Sequence, residues 1–328
     1  MTDSHQRIVA LARHEYRAAV RSRVLIALLL IALVATAASI YIAAVDYRSQ
    51  LEDYNVYLQA ARANGIQRVA PSPLRLLSLL RGALEYVAII GAVVGIALGY
   101  LSVTRERSSG TLPLLRSRPV TSGELAAGGA IGAFGLIATY VTATVGIAVI
   151  SLGVVGHGWV TGTDVVKLAF VYLAAVAYLG AFFFIGVIFT ARSKVAANGL
   201  ILALGLWLAV VLILPQIGDT LDPDNQVPGG LFAALNVGKP HENLILSHFG
   251  TYETIRTNLE AASFEKHFER FAFAMTDVKD KYASFSIGHL FVKTYGDVIW
   301  LVLGPIVLSI AYVHSFRRPT SPTRGANP

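Results

Sequence analysis

The sequence predicts an all-α membrane protein with six transmembrane helices, an N-terminal interfacial amphipathic helix and a partly helical external loop between helices 5 and 6. Three observations predict this. Of 328 residues, 55% are hydrophobic and only 14% are charged, where a water-soluble domain carries about 25% charged residues. Mean hydropathy is +0.59. The charges are also clustered, leaving whole windows of about 20 residues without Asp, Glu, Lys or Arg, the length an apolar helix needs to cross a bilayer.

Residues 1–23 form an entry helix. Over 5–20, Ile8, Ala12, Tyr16 and Ala19 share one helical face, and Arg13, Arg17 and Arg21 line another at i, i+4, i+8. This pattern suits a helix lying in the cytoplasmic interface. The spans follow at Val24–Val45, Ala83–Val103, Ala126–Val155, Val165–Phe189, Ala196–Leu214 and Asp297–Phe316. At 1.5 Å per residue each crosses a hydrocarbon core of about 30 Å. The basic residues before the first span resemble the n-region of a signal peptide. Its 22 apolar residues exceed the roughly 7–15 of a cleavable segment, which reads as an uncleaved anchor. Residues 24–214 thus hold helices 1–5, with a modest external loop at 46–82 and a cytoplasmic loop at 104–125.

The region 215–296 is the only connection large enough for an external helical subdomain. It opens with the turn-rich Asp222-Pro223-Asp224-Asn225 and Pro228-Gly229-Gly230 and then becomes helical. Phe264, Phe268, Phe271, Met275, Val278 and Tyr282 form a seam for a helix packing on a neighbour. Tyr252, Ile255 and Leu259 are out of phase with it, so a break is expected near Ser263. Residues 297–316 make the sixth helix, and the tail 317–328, with Pro319 and Pro322, is expected to be disordered.

Six spans put both termini on one side, and basic residues choose it. Segments 1–23, 104–125, 190–195 and 317–328 hold 14 Lys and Arg against four acidic residues, whereas the opposite loops hold more acidic than basic ones. The positive-inside bias places both termini in the cytoplasm of a multi-pass plasma-membrane protein. The net charge of +7 is accounted for by this orientation and by anionic headgroups of the lipid bilayer. No basic stripe with interleaved aromatics suggests nucleic acid.

Several chemistries are excluded. Without Cys there is no disulfide, thiolate metal site or Cys nucleophile. His241-Glu242, His248 and His267 lack the spacing of an H-E-x-x-H zinc site, so no metal is expected. No G-x-S-x-G elbow is present, and no catalytic residue is assigned. The central part of every span is free of ionisable residues, since Glu85, Lys167 and Asp297 lie near span ends. An ion-coupled transporter normally needs such a group near the midplane. Gly91, Gly95 and Gly99, and then Gly128 and Gly132, recur at i, i+4, spacing that lets helix backbones approach closely. The single Gly-Lys pair, Gly238-Lys239, is followed by Pro240 and is no phosphate-binding loop. ATP and Mg²⁺, if used, are bound by a partner chain, and this chain binds no cofactor.

The stretch Ser102–Leu125, SVTRERSSGTLPLLRSRPVTSGEL, stands apart. Charges at Arg105, Glu106 and Arg107 follow the span. Gly110 permits a turn, Thr111-Leu112-Pro113-Leu114-Leu115 makes a short apolar face, and Arg118-Pro119 breaks it. Thr121 or Ser122 can cap the next helix. An exposed Leu face framed by Arg suits a groove on a soluble partner, while an ordinary basic loop has the same composition.

This run resembles the first cytoplasmic loop of ABC-2 type permeases, the membrane subunits of ATP-binding-cassette exporters. Glu106, Gly110-Thr111-Leu112, Leu114-Leu115 and Arg118-Pro119-Val120 appear in the family's order, within a similar layout of entry helix, six spans and a loop between spans five and six. It departs at Ser108 and Ser109, where a second acidic residue is common, and at Gly128-Gly129, where Gly-Lys is common. The loop lengths look most like permeases grouped with multicopper-enzyme and nitrous-oxide-reductase maturation, yet two Met and no Cys leave few soft copper ligands. The resemblance implies a permease without its own nucleotide site. A separate ATPase subunit and a second permease copy are the implied partners, and Arg105, Glu106, Gly110–Leu112, Leu114, Leu115 and Arg118–Val120 the implied coupling loop. The competing readings are a non-transporting membrane assembly or maturation protein and a membrane-embedded hydrolase or acyltransferase.

Overall fold

The computed structural model describes residues 2–64, 75–108, 121–155, 158–221, 231–248, 250–279, 282 and 285–317. Six of its helices are long and apolar enough to cross a membrane. The entry helix is α1 (Thr2–Val20) and the first span α2 (Arg23–Ala63). The second span joins α3 (Arg81–Tyr86) to α4 (Ala92–Ser108) through a π-helical turn, Val87–Gly91. The third and fourth spans are α5 (Ser122–Val154) and α6 (Gly162–Arg192). The fifth joins α7 (Ala196–Trp207) to α8 (Leu214–Leu221) through a second π-helical turn, Leu208–Ile213. Helices α9 (Leu231–Ala234), α10 (Lys239–His248), α11 (Gly250–Ala262), α12 (Phe264–Met275) and α13 (Ile287–Lys293) precede the sixth span, α14 (Tyr295–Arg317). Below, the entry face is the side where the first span begins, and the far face its opposite.

The second and fourth spans form the centre of the bundle. In each, 61% of the most apolar window is buried, against 11% for the sixth span. The two helices touch backbone to backbone. A Cβ on Gly95 would stand 2.7 Å from the Leu179 carbonyl oxygen, and one on Gly99 2.4 Å from that of Phe183. Gly186 of α6 returns the contact, 2.5 Å from the Ile96 carbonyl oxygen, while Gly91 meets the Leu179 side chain. Small residues bring helices together where lipid provides no hydrophobic drive.

Helix α2 continues well past the apolar segment that ends at Val45. Residues 46–63 contain no Gly or Pro, and the pairs Arg48–Glu52 and Gln50–Asp46 sit at i, i+4 on the helix surface. The chain leaves the helix only at Asn64. The expected loop 46–82 is therefore helical over its first half.

The π-helical turns expose carbonyls that a regular helix would satisfy internally, and other elements use them. Tyr178 of α6 donates to Ala88 O at 3.0 Å, Trp207 Nε1 donates to Ile89 O at 3.2 Å, and Ser263 donates to Val210 O at 2.6 Å. These bonds tie spans two, four and five together near mid-height and bring in the connection before α12.

Within 215–296, α12 packs against the spans, a placement that the expectation of an external subdomain did not include. The break falls at Ser263, whose side chain accepts from Lys266 N as the N-cap. Phe264 and Phe268 stack on Tyr178 at ring distances of 5.4 and 4.9 Å, and Phe264 also meets Gly304 midway along α14. Tyr178 is midway along α6, whereas Asp277, just beyond α12, pairs with Lys167 near the start of α6. Helix α12 thus runs from the middle of the bundle to its far face. Phe268, Phe271 and Met275 of the seam are buried, but the helix ends at Thr276 and Asp277 (φ 55°), so Val278 and Tyr282 lie outside it.

Candidate functional site

The entry face gathers α1, the end of α4, the start of α5 and the end of α6. Helix α1 lies along α5. A Cβ on Gly128 would meet the Leu11 side chain at 2.4 Å, one on Gly132 the Ala12 carbonyl oxygen at 2.6 Å, and Tyr16 reaches the Thr139 hydroxyl at 3.3 Å. Ala12, Glu15 and Ala19 are its buried ridge, while Arg13, Arg17 and Arg21 face outward. Glu15 thus lies on the packed side, a position the apolar periodicity did not assign to it.

Both ends of the 104–125 loop are fastened to this helix. On one side Arg105 at the end of α4 is ion-paired with Glu15. On the other, Thr121 and Glu124 form a capping box at the start of α5, with Thr121 Oγ1 accepting from Glu124 N and the Glu124 carboxylate accepting from Thr121 N at 2.9 Å. Glu124 Oε1 also accepts from Ser4 at 2.6 Å and from Arg7 Nη2 at 2.9 Å. Arg107 donates to the carbonyls of Ala191 and Ser193 at 2.9 and 3.0 Å, filling acceptors left open at the end of α6. Glu106 is half-buried beside Glu15. The remaining expected loop residues, Gly110, Thr111, Leu112, Leu114, Leu115, Arg118, Pro119 and Val120, lie outside the described residues.

Sequence reasoning missed Glu15, Arg7, Glu124 and Arg107. Only Glu124 carried a local signal, the T-x-x-E spacing of a capping box. The others find partners roughly 85 to 120 residues away, beyond the reach of periodicity.

Burial of the Glu15 carboxyl raises its pKa above the ordinary 4.5, although Arg105 beside it acts the other way. A pKa raised by folding means that the contribution of Glu15 to stability is fully present below the ordinary value and is lost as pH rises through the raised one. Hydrogen exchange on α1 should therefore slow on mild acidification from neutral pH. In a Glu15→Gln variant that pH dependence should vanish. An unchanged pH profile in the variant would exclude Glu15 as its source.

A second polar group lies near the far face. His267 Nδ1 stands 2.7 Å from Asp297 Oδ1, Arg270 donates to the same oxygen at 2.9 Å, and Arg270 Nη1 is 3.6 Å from Glu260. The His267 ring stacks on Trp300 with centroids 5.3 Å apart. Glu265, Lys266 and His267 are all buried, so α12 carries ionisable groups into a bundle whose spans have none near their centres. His267 is committed to Asp297 and Ala261 O, at the base of the sixth span.

A model of the ABC-2 family transporter proteins matches residues 9–318. The chain belongs to the ABC-2 transporter family. The match runs from inside α1 to the end of α14, so the entry helix is part of the family's domain. As an ABC-2 family transporter protein the chain is the membrane component of an ATP-binding-cassette transporter, a class that works with an ATP-binding subunit. No curated protein matches the chain.

Proposed function

We propose that this ABC-2 protein is the permease half of an exporter in which two permease copies work with two ATPase subunits, with both termini in the cytoplasm of a plasma-membrane protein. Residues 104–125 are the docking element for the ATPase. The observation that carries this reading is the double fastening of the loop to α1, through Arg105–Glu15 at one end and Arg7–Glu124 at the other. A loop held at both ends by a helix that itself lies along the third span transmits displacement to the bundle instead of absorbing it. The cargo is a lipid, peptide or other hydrophobic compound, in keeping with spans whose centres carry no charge. Nucleotide and Mg²⁺ belong to the partner.

Co-purification tests the docking. Changing Leu114 and Leu115 together to Asp places two charges in an apolar contact, each costing several kcal/mol to desolvate. A nanomolar complex, worth about 12 kcal/mol, would weaken by orders of magnitude. The expected result is loss of the ATPase subunit from the purified complex and loss of stimulated ATP turnover, with membrane insertion unchanged. Wild-type association in the double variant would reduce the loop to a basic connector. Tags at Met1 and near Gly250 should be reached by impermeant reagents from opposite sides of the membrane, the first from the cytoplasm.

A further inference from the structure

The fifth and sixth spans both pack on the fourth and leave a cleft between them of about 570 Å³, within the roughly 300–1,000 Å³ typical of ligand sites. Its floor is Phe182 and Ile185 of α6, one wall is Leu206 and Val210 of the fifth span, and the other wall follows α14 from Ile299 to Leu308. Almost all of this lining is apolar carbon. Phe264 of α12 faces Gly304 across it. The rim is open, with Leu303 and Val307 52% and 62% exposed.

Two features select an occupant. Ile299 to Leu308 covers roughly 14 Å at 1.5 Å per residue, close to the depth of one leaflet in a core of about 30 Å. The polar group also caps one end only. Trp300 lines the cleft and stacks on His267, which with Arg270 faces Asp297 at the far-face start of the sixth span. Arg270 keeps about a quarter of its side chain exposed, so a guanidinium is within reach of a ligand seated there. An apolar slot one leaflet deep with charged groups at its interfacial end matches a membrane amphiphile. The geometry points to a binding site for one acyl chain of a far-leaflet lipid, its methyl end toward Leu308 and its polar head at Arg270, His267 and Asp297. The site stands independently of the exporter reading, because it concerns what binds and not what is driven.

The test uses the full chain in phosphatidylcholine vesicles doped with a phospholipid carrying a photoreactive diazirine near either the carboxyl or the methyl end of one acyl chain, with adducts mapped by peptide mass spectrometry. The carboxyl-end probe should label Trp300 and the methyl-end probe Leu308 and Leu206. Leu206 should be labelled about tenfold more strongly than Val34 (about 1.4 kcal/mol of preferential occupancy), although Val34 of the first span is 66% exposed. Gly304→Leu, which fills the cleft against Phe264, and Val307→Trp, which narrows its rim, should each remove the Leu206 adduct and leave that at Val34. The rim variant keeps the test valid if the filled one misfolds. Labelling at Leu206 no stronger than at Val34, a reversed order of the two probes, or adducts that persist in both variants would overturn the site. So would efficient disulfide cross-linking of two copies through Leu303→Cys, the single thiol of that variant, since a second copy would then occupy the cleft.

Discussion

Replacing Gly99 with leucine is expected to abolish accumulation of folded protein. The clash is with backbone: the added Cβ would stand 2.4 Å from the Phe183 carbonyl oxygen and 2.8 Å from Val187 N. A side-chain neighbour could rotate away, but these atoms move only if α4 and α6 separate. Separation would also open the contact between Gly186 and Ile96 and remove neighbours from Phe183, Leu98 and Ile96, each fully buried. Overpacking alone costs about 1–3 kcal/mol, and lost burial of large apolar side chains adds about 1.5–3 kcal/mol apiece. Several such losses approach a total stability of about 5–15 kcal/mol. Gly205→Leu is the matched control, because nothing lies within 4 Å of its Cβ position. In a fluorescent-fusion size-exclusion assay the Gly99 variant should lose its monodisperse peak and the Gly205 variant keep it. A normal peak from Gly99→Leu would mean that the second and fourth spans are not in backbone contact.

The spans were legible because the bilayer imposes a length and a lack of charge that show in any window of the right size. The turn at Ser263 was legible from a phase change in apolar spacing, which records the direction each helix face points. The course of α12 was not. Its Glu265-Lys266-His267 run reads as a solvated face, yet these side chains are buried, and the carboxylate that receives His267 belongs to Asp297, 30 residues on. Ion pairs between distant segments leave no mark on local periodicity. The same holds for Glu15, which sits among apolar neighbours on the packed ridge of α1 because Arg105 meets it there. Helix α2 shows a different failure. Hydropathy falls after Val45, which marks where apolar sequence ends but not where helix ends, and residues 46–63 lack any residue that breaks a helix.

Neutralising Asp277 should destabilise the protein strongly, and a second neutralisation should restore much of the loss. Asp277 Oδ2 and Lys167 Nζ are 2.6 Å apart, with side chains only 14% and 11% exposed. In Asp277→Asn the lysine remains buried beside a neutral amide. Breaking a buried pair from one side costs about 3–5 kcal/mol, because the surviving charge keeps its desolvation penalty without a partner. Asn is the right replacement at this position, since the backbone there has φ 55° and Asn tolerates the left-handed region better than most residues. Backbone strain is thereby kept out of the comparison. The pair also fixes where α12 ends against the start of α6, so its loss should loosen Phe268 and Phe271 from the fourth span. Adding Lys167→Met removes the stranded charge and retains an unbranched apolar stem, a replacement that is often neutral for buried pairs. The expected order of thermal midpoints is therefore wild type at or slightly above the double variant, and both well above Asp277→Asn. If the double variant is no more stable than the single one, the loss belongs to the turn at Asp277 and not to the buried lysine.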